Sequence, residues 1–526
     1  MAAGSVPTEM KTATPARRQT RIPHGLTPVL VLLVFTAACY LRMQSFLQPW
    51  IGGHNAWGGA MYGNIARNYL IYGYGTTLLG PVANTGPVTP AEFEFYYHYP
   101  PLQVLLVSLS YQVFGVHEWS ARLVSLLFSL LSMGVVYAFA RRAFAAPAAP
   151  LALLFLAVMP IENFYGAHVD VYGSQAVFFT LLAVYGYYRW LGSGNPADLA
   201  LCIAGVTLGC LTAWFTYFAI PLMLAHYHFV HSKTLRWSPL WITVFCAVAV
   251  VGAFLLHRHV LQIGDRPEVH GSLLGKFLLR LSAQSPEGQG GFVAALMLQF
   301  RHVVHLYTVP LAGLALGWVV LFLHDWRRTR LPLAADWCVL ILLGYGLLHS
   351  LVFPSFTYGH DYMVVSYVPG IALAAALVVS RAYRWMEQRW RPMIAMGLLA
   401  VAVVIIVVPS LRETQRLLAT EDRAYGQQLL RWGRWIGQNT QTADVLLMPD
   451  KDDRIFLYYA DRKTVFQTDT PEKLAAVMEN GARSYYFVCS QPQAKRHQEL
   501  IAYLEGRYPK QSGEGLLVFA LSKRAN

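Results

Sequence analysis

Apolar runs of 16 to 22 residues recur along the chain with short polar breaks between them. This spacing predicts a bundle of membrane-crossing helices, since a helix needs roughly 20 mainly apolar residues to span bilayer hydrocarbon. Eleven runs stand out: 26–43, 119–140, 147–163, 172–190, 199–214, 216–231, 239–257, 306–324, 335–353, 363–380 and 392–410. The run from Thr27 to Leu41 is read as the first span, because no small-residue cleavage site follows it. The segment 101–114 is apolar but short, and crossing would turn Arg141 and Arg142 to the opposite face, so it is expected to lie at the interface or re-enter.

Two long stretches break the pattern, 44–118 and 257–305. The first contains an amphipathic period over Ala60 to Tyr72, with Met61, Ile65 and Tyr69 on one side and Asn64, Arg67 and Asn68 on the other. The second carries Arg258, Arg266, Lys276, Arg280 and Arg301, which suit anionic lipid or headgroups, with none singled out. After Val408 the pattern changes again. Helical periods at 420–437, 471–480 and 494–507 alternate with strand-like runs at 444–448, 455–459, 483–488 and 516–521. The expected fold is therefore mainly α: a polytopic helical bundle over 26–410, preceded by a tail over 1–25 and followed by a small α/β domain over 411–526. No Gly-rich loop follows a strand there, so no nucleotide site is expected.

Composition sharpens this picture. Hydrophobic residues make up 55% of the 526 and charged residues only 13%, well below a soluble domain. The net charge of +13 does not imply nucleic acid, because no binding motif accompanies it. With the N-terminus inside, the inner segments hold sixteen Lys and Arg, while the short outer loops near 163–171, 215 and 354–362 hold none. Eleven spans then put the C-terminal domain outside, in the periplasm of a bacterial inner-membrane protein. The six cysteines form no CxxC pair and imply neither disulfides nor a metal knuckle.

Several motifs recur in order. Tyr62-Gly-Asn-Ile-Ala-Arg67 leads to His98-Tyr-Pro100-Pro101, then Trp119-Ser-Ala-Arg122 and Tyr137-Ala-Phe-Ala-Arg141-Arg142. Asn163-Phe-Tyr-Gly166-Ala-His168-Val-Asp170 and Gly359-His360-Asp361-Tyr362 follow. Together they resemble the bacterial membrane glycosyltransferases related to protein O-mannosyltransferases and lipid A aminoarabinose transferases, over about 25–410. The resemblance implies the C-type glycosyltransferase fold and a polyprenyl-phosphate sugar donor. It also implies an extracytoplasmic lipid, glycan or protein acceptor, and inversion at the sugar. A first-loop carboxylate would take the acceptor proton, and cationic or hydrogen-bonding groups would stabilise the departing phosphate.

The chain departs from that family at one point. Gly52-Gly53-His54-Asn55-Ala56-Trp57-Gly58-Gly59 contains no acid, and neutral Asn55 cannot act as a carboxylate base. Tyr172 stands where related sequences often have Glu. The base is then sought in Asp170, an acid at the outer mouth of a span, whose bland alternative is a helix N-cap. His54 is the next candidate, as base or acceptor-orienting group. Glu94 and Glu92 are the nearest remaining first-loop acids, each equally a solvated loop residue. Substrate binding is expected from Asn55, Arg67, His98, His168, Tyr172, His360, Asp361 and Tyr362, with Arg67 weighed against snorkelling to headgroups. No cofactor is certain, and a divalent metal is left open. His168 with Asp170 would offer two ligands to a divalent metal, too few to define a site. Two other readings are carried: a non-catalytic relative that binds lipid-linked sugar or partner proteins, and a transporter or flippase, which the lack of internal repeats disfavours.

Overall fold

The computed structural model describes residues 26–170, 172–263, 273–282, 290–329, 333–450, 454–479, 484–513 and 515–521. The tail over 1–25 and Arg266 lie outside the described residues. The chain starts with α1 (Leu26–Arg42) and α2 (Gly53–Tyr72). α2 begins seven residues before the amphipathic period, because Gly58, Gly59 and Ala60 are buried and leave no polar face to read. A short turn, α3 (Tyr74–Thr77), ends it. The first long loop then leads to α4 (Leu102–Phe114) and α5 (Glu118–Ala143).

Several expected spans are composite. The run 147–163 divides at Met159–Pro160 into α6 (Ala148–Val158) and α7 (Pro160–Tyr165), because Pro160 lacks the amide that would continue the ladder. α8 (Ser174–Ser193) and α9 (Pro196–Cys210) form a tight hairpin. A Cβ on Gly205 would lie 2.6 Å from the Ala183 amide nitrogen and 2.8 Å from the Phe179 carbonyl, so only glycine permits this approach. The next run is split between a 3₁₀ turn (Trp214–Phe218), α10 (Ala219–Ala225) and a π turn (His226–His231). α11 (Ile242–Leu256) and α12 (Leu273–Leu281) follow. α13 (Phe292–Thr329) begins well before the expected 306 and is broken at Thr308. α14 (Ala334–Val352), α15 (Phe356–Gly359), α16 (Val368–Arg389) and α17 (Pro392–Thr420) complete the bundle. Among the described residues, six helices are long and apolar enough to cross a membrane unaided, so eleven uninterrupted spans are not found. A buried ion pair links the bundle: Arg42 Nη2 lies 3.4 Å from Glu162 Oε2. This is the usual fate of charges inside a membrane protein, which are paired and turned inward.

Beyond α17 come α18 (Ala424–Asn439), β1 (Val445–Leu447), α19 (Arg454–Ala460), β2 (Lys463–Val465), α20 (Pro471–Glu479) and β3 (Tyr485–Ser490). Then follow α21 (Gln491–Arg496), α22 (Gln498–Glu505), β4 (Lys510–Gly513) and β5 (Leu516–Ala520). The sheet order is β2-β1-β3-β5-β4, parallel on the β2-β1-β3 side and antiparallel beyond it. The strand expected at 455–459 is instead helix α19. Ile455, Phe456, Leu457 and Tyr458 are all buried, because α19 is wedged between α18 and α2. A run buried on all sides carries no period that separates helix from strand. β2 and β4 were not foreseen. They are the two edge strands, short and polar, as edges commonly are.

This region docks on the first long loop. Tyr459 Oη donates to Glu118 Oε1 at 2.6 Å and accepts from the Trp50 amide at 2.8 Å. Lys463 pairs with Glu92.

Candidate functional site

The site forms where the N-terminal turn of α2, the segment between α7 and α8, and the segment between α15 and α16 meet. His54, Asn55, Gly58, Tyr165, His168, Asp170, Tyr172 and Tyr362 line one narrow pocket of about 20 Å³, room for about one water. His54 Nε2 lies 3.6 Å from Asp170 Oδ2, within ion-pair reach but longer than a hydrogen bond. Its ring is stacked on Tyr362 at 4.7 Å between centroids, with Trp57 and His360 at 5.8 and 5.6 Å. These contacts fix where the imidazole points.

Asp170 is not the N-cap of α8, a position held by Gly173. Its Oδ1 accepts the Tyr172 amide at 3.1 Å, a local turn that leaves Oδ2 facing His54. Gly58 packs beside it: a Cβ there would stand 3.3 Å from the Val169 carbonyl oxygen and 3.7 Å from Asp170 Oδ2. Burial pushes His168 well below its ordinary value and His360 down to about 4, helped by the nearby His54 in both cases. Both rings are therefore neutral at pH 7. The Nδ1 atoms of both are buried without a hydrogen-bond partner, as is the Tyr172 hydroxyl. Asp361 accepts a 2.8 Å hydrogen bond from Tyr165 and so supports the pocket wall.

Two residues expected at the site are placed elsewhere, and a third, His98, does not line the pocket. Glu94 is exposed, and its backbone pairs with Asn84 and Ala83 in the first loop. Arg67 donates to Asn64 at 2.7 Å and to Asp461 at 2.8 Å, so its guanidinium joins α2 to the C-terminal region. His98 packs on Tyr96 at 4.8 Å, with its carbonyl accepting from Trp214 Nε1 at 2.8 Å. The Pro-Pro turn after it directs the chain into α4. Among the described residues no three of His, Cys, Asp and Glu group as metal ligands, so His168 and Asp170 gain no third partner.

Two residues near the site had not been singled out. Arg280, near the end of α12, lies with its guanidinium carbon 3.5 Å over the Phe356 ring and Nη2 3.4 Å from Tyr99 Oη. Its Nη1 is buried without a partner. Tyr99 packs edge-on against Tyr172 at 5.2 Å between ring centroids, and Tyr172 lines the pocket with Asp170, so Arg280 reaches the pocket through two tyrosines. Arg280 is one of several loop arginines in the sequence, and nothing local distinguishes it.

Glu421 is the second. Its Oε1 accepts from Asn55 Nδ2 at 3.2 Å and its Oε2 from Arg423 Nε at 3.2 Å, and its side chain is only 8% exposed. A carboxylate thus reaches Asn55 from the far end of α17. No sequence signal links positions 366 residues apart.

Comparison with known proteins supports the fold. Residues 98–257 match the family described as dolichyl-phosphate-mannose-protein mannosyltransferase. No curated protein sequence matches the chain. The structure resembles ArnT from Cupriavidus metallidurans bound to undecaprenyl phosphate, with a TM-score of 0.67 and 14% identity, covering 95% of this chain and 98% of that one. Its apo form gives 0.65 and 15%, over 94% and 98%. The oligosaccharyltransferase AglB from Archaeoglobus fulgidus, in complex with an inhibitory peptide and a dolichol-phosphate, gives 0.58 and 12%, over 95% and 74%. The chain has the fold of these C-type membrane glycosyltransferases, as its motifs predicted.

Proposed function

We propose that the protein is a membrane glycosyltransferase that moves a sugar from a polyprenyl-phosphate donor to an extracytoplasmic acceptor. The observation that carries this reading is Asp170 beside His54 in one pocket with Tyr172, whose ring packs on Tyr99, the residue that Arg280 contacts. The acceptor hydroxyl or amine binds on the Asp170 side. Its proton passes to the Asp170 carboxylate, directly or through His54, as its lone pair attacks the anomeric carbon. The bond between that carbon and the phosphate oxygen breaks, and its electron pair leaves with the lipid phosphate. Arg280 Nη1 supplies a charge-assisted hydrogen bond to that oxygen. Attack opposite the leaving group inverts the anomeric centre. Neutral His168 and His360 offer hydrogen bonds to sugar hydroxyls without competing for the phosphate.

The basic residues on the inner segments support an orientation with the N-terminus cytoplasmic and this pocket facing the periplasm. The pocket has room for about one water, so donor entry needs the ring wall of His54, Tyr362 and Tyr165 to move. ArnT binds undecaprenyl phosphate and AglB a dolichol-phosphate in their complexes, which supports the same donor class here.

A second reading, a relative that binds lipid-linked sugar without transferring it, is favoured by one observation: Asn55 in place of the first-loop acid. The test is to incubate purified protein in lipid nanodiscs with polyprenyl-phosphate sugars and a membrane-extract acceptor pool. Release of polyprenyl phosphate with a product of opposite anomeric configuration supports transfer. Saturable donor binding without release, for every donor tried, supports the second reading.

A further inference from the structure

We propose that a crevice between α13 and α17, separate from the candidate site, holds one anionic phospholipid by its headgroup phosphate. The crevice has a volume of about 450 Å³. Its level follows from helix geometry. Glu413 on α17 lies 22 residues from Arg391 at that helix's N-terminus. At 1.5 Å per residue the separation is about 33 Å, roughly one hydrocarbon thickness from the basic end. The crevice is thus at a headgroup surface. Eight residues further along the same chain, Glu421 reaches Asn55, so the crevice faces the same side of the membrane as the candidate pocket.

Its polar wall is formed by Arg301, His305 and Glu413, with Arg416 beside Glu413. Glu413 is already paired, with Arg416 donating to both its oxygens at 2.9 Å and His305 Nδ1 at 2.9 Å. Arg301 also lines the crevice, exposed, and has no hydrogen-bond or ion-pair partner among the described residues. The rest of the wall is apolar and faces outward, Phe300 being 65% and Val309 68% exposed. A basic wall beside an exposed apolar wall matches a phosphate head with its acyl chains alongside.

A second observation points to a ligand. Thr308 lines the crevice with φ 69° and ψ 154°, inside an otherwise helical segment. A β-branched residue is costly there, and such strain gathers at ligand clamps. Thr308 is 7% exposed, and its Oγ1 is buried with no partner. A phosphate oxygen would complete it. The occupant is a bulk phospholipid and not the sugar donor, whose phosphate has its own cation in Arg280.

The experiment is native mass spectrometry of the full-length protein released from nanodiscs, titrated with phosphatidylglycerol or phosphatidylcholine. The wild type is expected to hold one phosphatidylglycerol more tightly than phosphatidylcholine. Arg301→Gln and, separately, Arg416→Gln should each weaken phosphatidylglycerol about five-fold, the contribution of one basic residue at a membrane surface, without changing phosphatidylcholine. Arg301 has no hydrogen-bond or ion-pair partner to lose among the described residues, so its variant should keep the wild-type melting temperature. Unchanged phosphatidylglycerol affinity in Arg301→Gln overturns the proposal. So does equal retention of the two lipids, displacement by inorganic phosphate alone, or displacement by polyprenyl phosphate. Sugar transfer is not read, so the outcome is independent of the catalytic reading.

Discussion

Replacing Arg280 by Gln keeps a stem and hydrogen-bonding capacity but removes the charge. In the native structure the guanidinium is oriented by the Phe356 face at 3.5 Å and only loosely held by Tyr99 at 3.4 Å, leaving Nη1 for a ligand. A charge-assisted hydrogen bond contributes about 1.5–3 kcal/mol. The part realised only as the phosphate departs resembles loss of one oxyanion donor, about 2.7–4 kcal/mol or roughly 10²–10³ in rate. Arg280→Gln should therefore lower kcat by about 10²–10³ and raise the donor KM by no more than about tenfold. Arg280→Lys should fall between, because it keeps the charge but loses the planar stack on Phe356. The assay is the initial rate of polyprenyl phosphate release against donor concentration. A kcat for Arg280→Gln within threefold of wild type would refute the assignment of the leaving phosphate to this residue.

Asn55→Asp should not create a better enzyme. It places a second carboxylate where Asn55 now meets Glu421 at 3.2 Å, a repulsion with a ceiling of about 5 kcal/mol at an effective dielectric near 20. One carboxyl should respond by holding its proton above its unfolded value, so the variant loses stability relative to wild type as pH rises from about 5 to 8; equal melting differences at both pH values would contradict this. Glu92 is held down at about 2 by Lys463 and Thr89, so its contribution is present above the unfolded carboxylate range and is lost as pH falls from about 4.5 toward 2. Glu92→Gln should accordingly narrow the melting-temperature gap between pH 6 and pH 3. Gly205→Ala should destabilise the α8–α9 hairpin by about 1–3 kcal/mol, since its Cβ meets backbone that cannot yield; an unchanged melting temperature would show that the hairpin relaxes freely.

The bundle was legible because apolar runs of membrane length have few other uses. Its interruptions were less so. Met159–Pro160 carries a proline that signals the break, whereas the turn at Thr308 carries no such mark at its own position. α19 was misread as a strand because Ile455 to Tyr459 are apolar without a period, and only packing between α18 and α2 decides their form. At the site, His54, Asp170, His168, Tyr172 and Tyr362 could be gathered from motifs, and the structure brings them into one pocket. Arg67 has the chemistry for phosphate, yet Asp461 engages it from a distant segment. Arg280 and Glu421 were missed for the same reason: their relevance is tertiary, and no spacing in the chain records it.

Whether Asp170 takes the acceptor proton during transfer from a polyprenyl-phosphate sugar is tested by single-turnover sugar transfer in the wild type and Asp170→Asn, with donor binding measured alongside. Asn can still accept the Tyr172 amide, so the local turn at 3.1 Å should persist. Donor binding should be unchanged and the transfer rate lower by about 10²–10⁴, the usual contribution of a positioned base. Transfer by Asp170→Asn within threefold of wild type would contradict it.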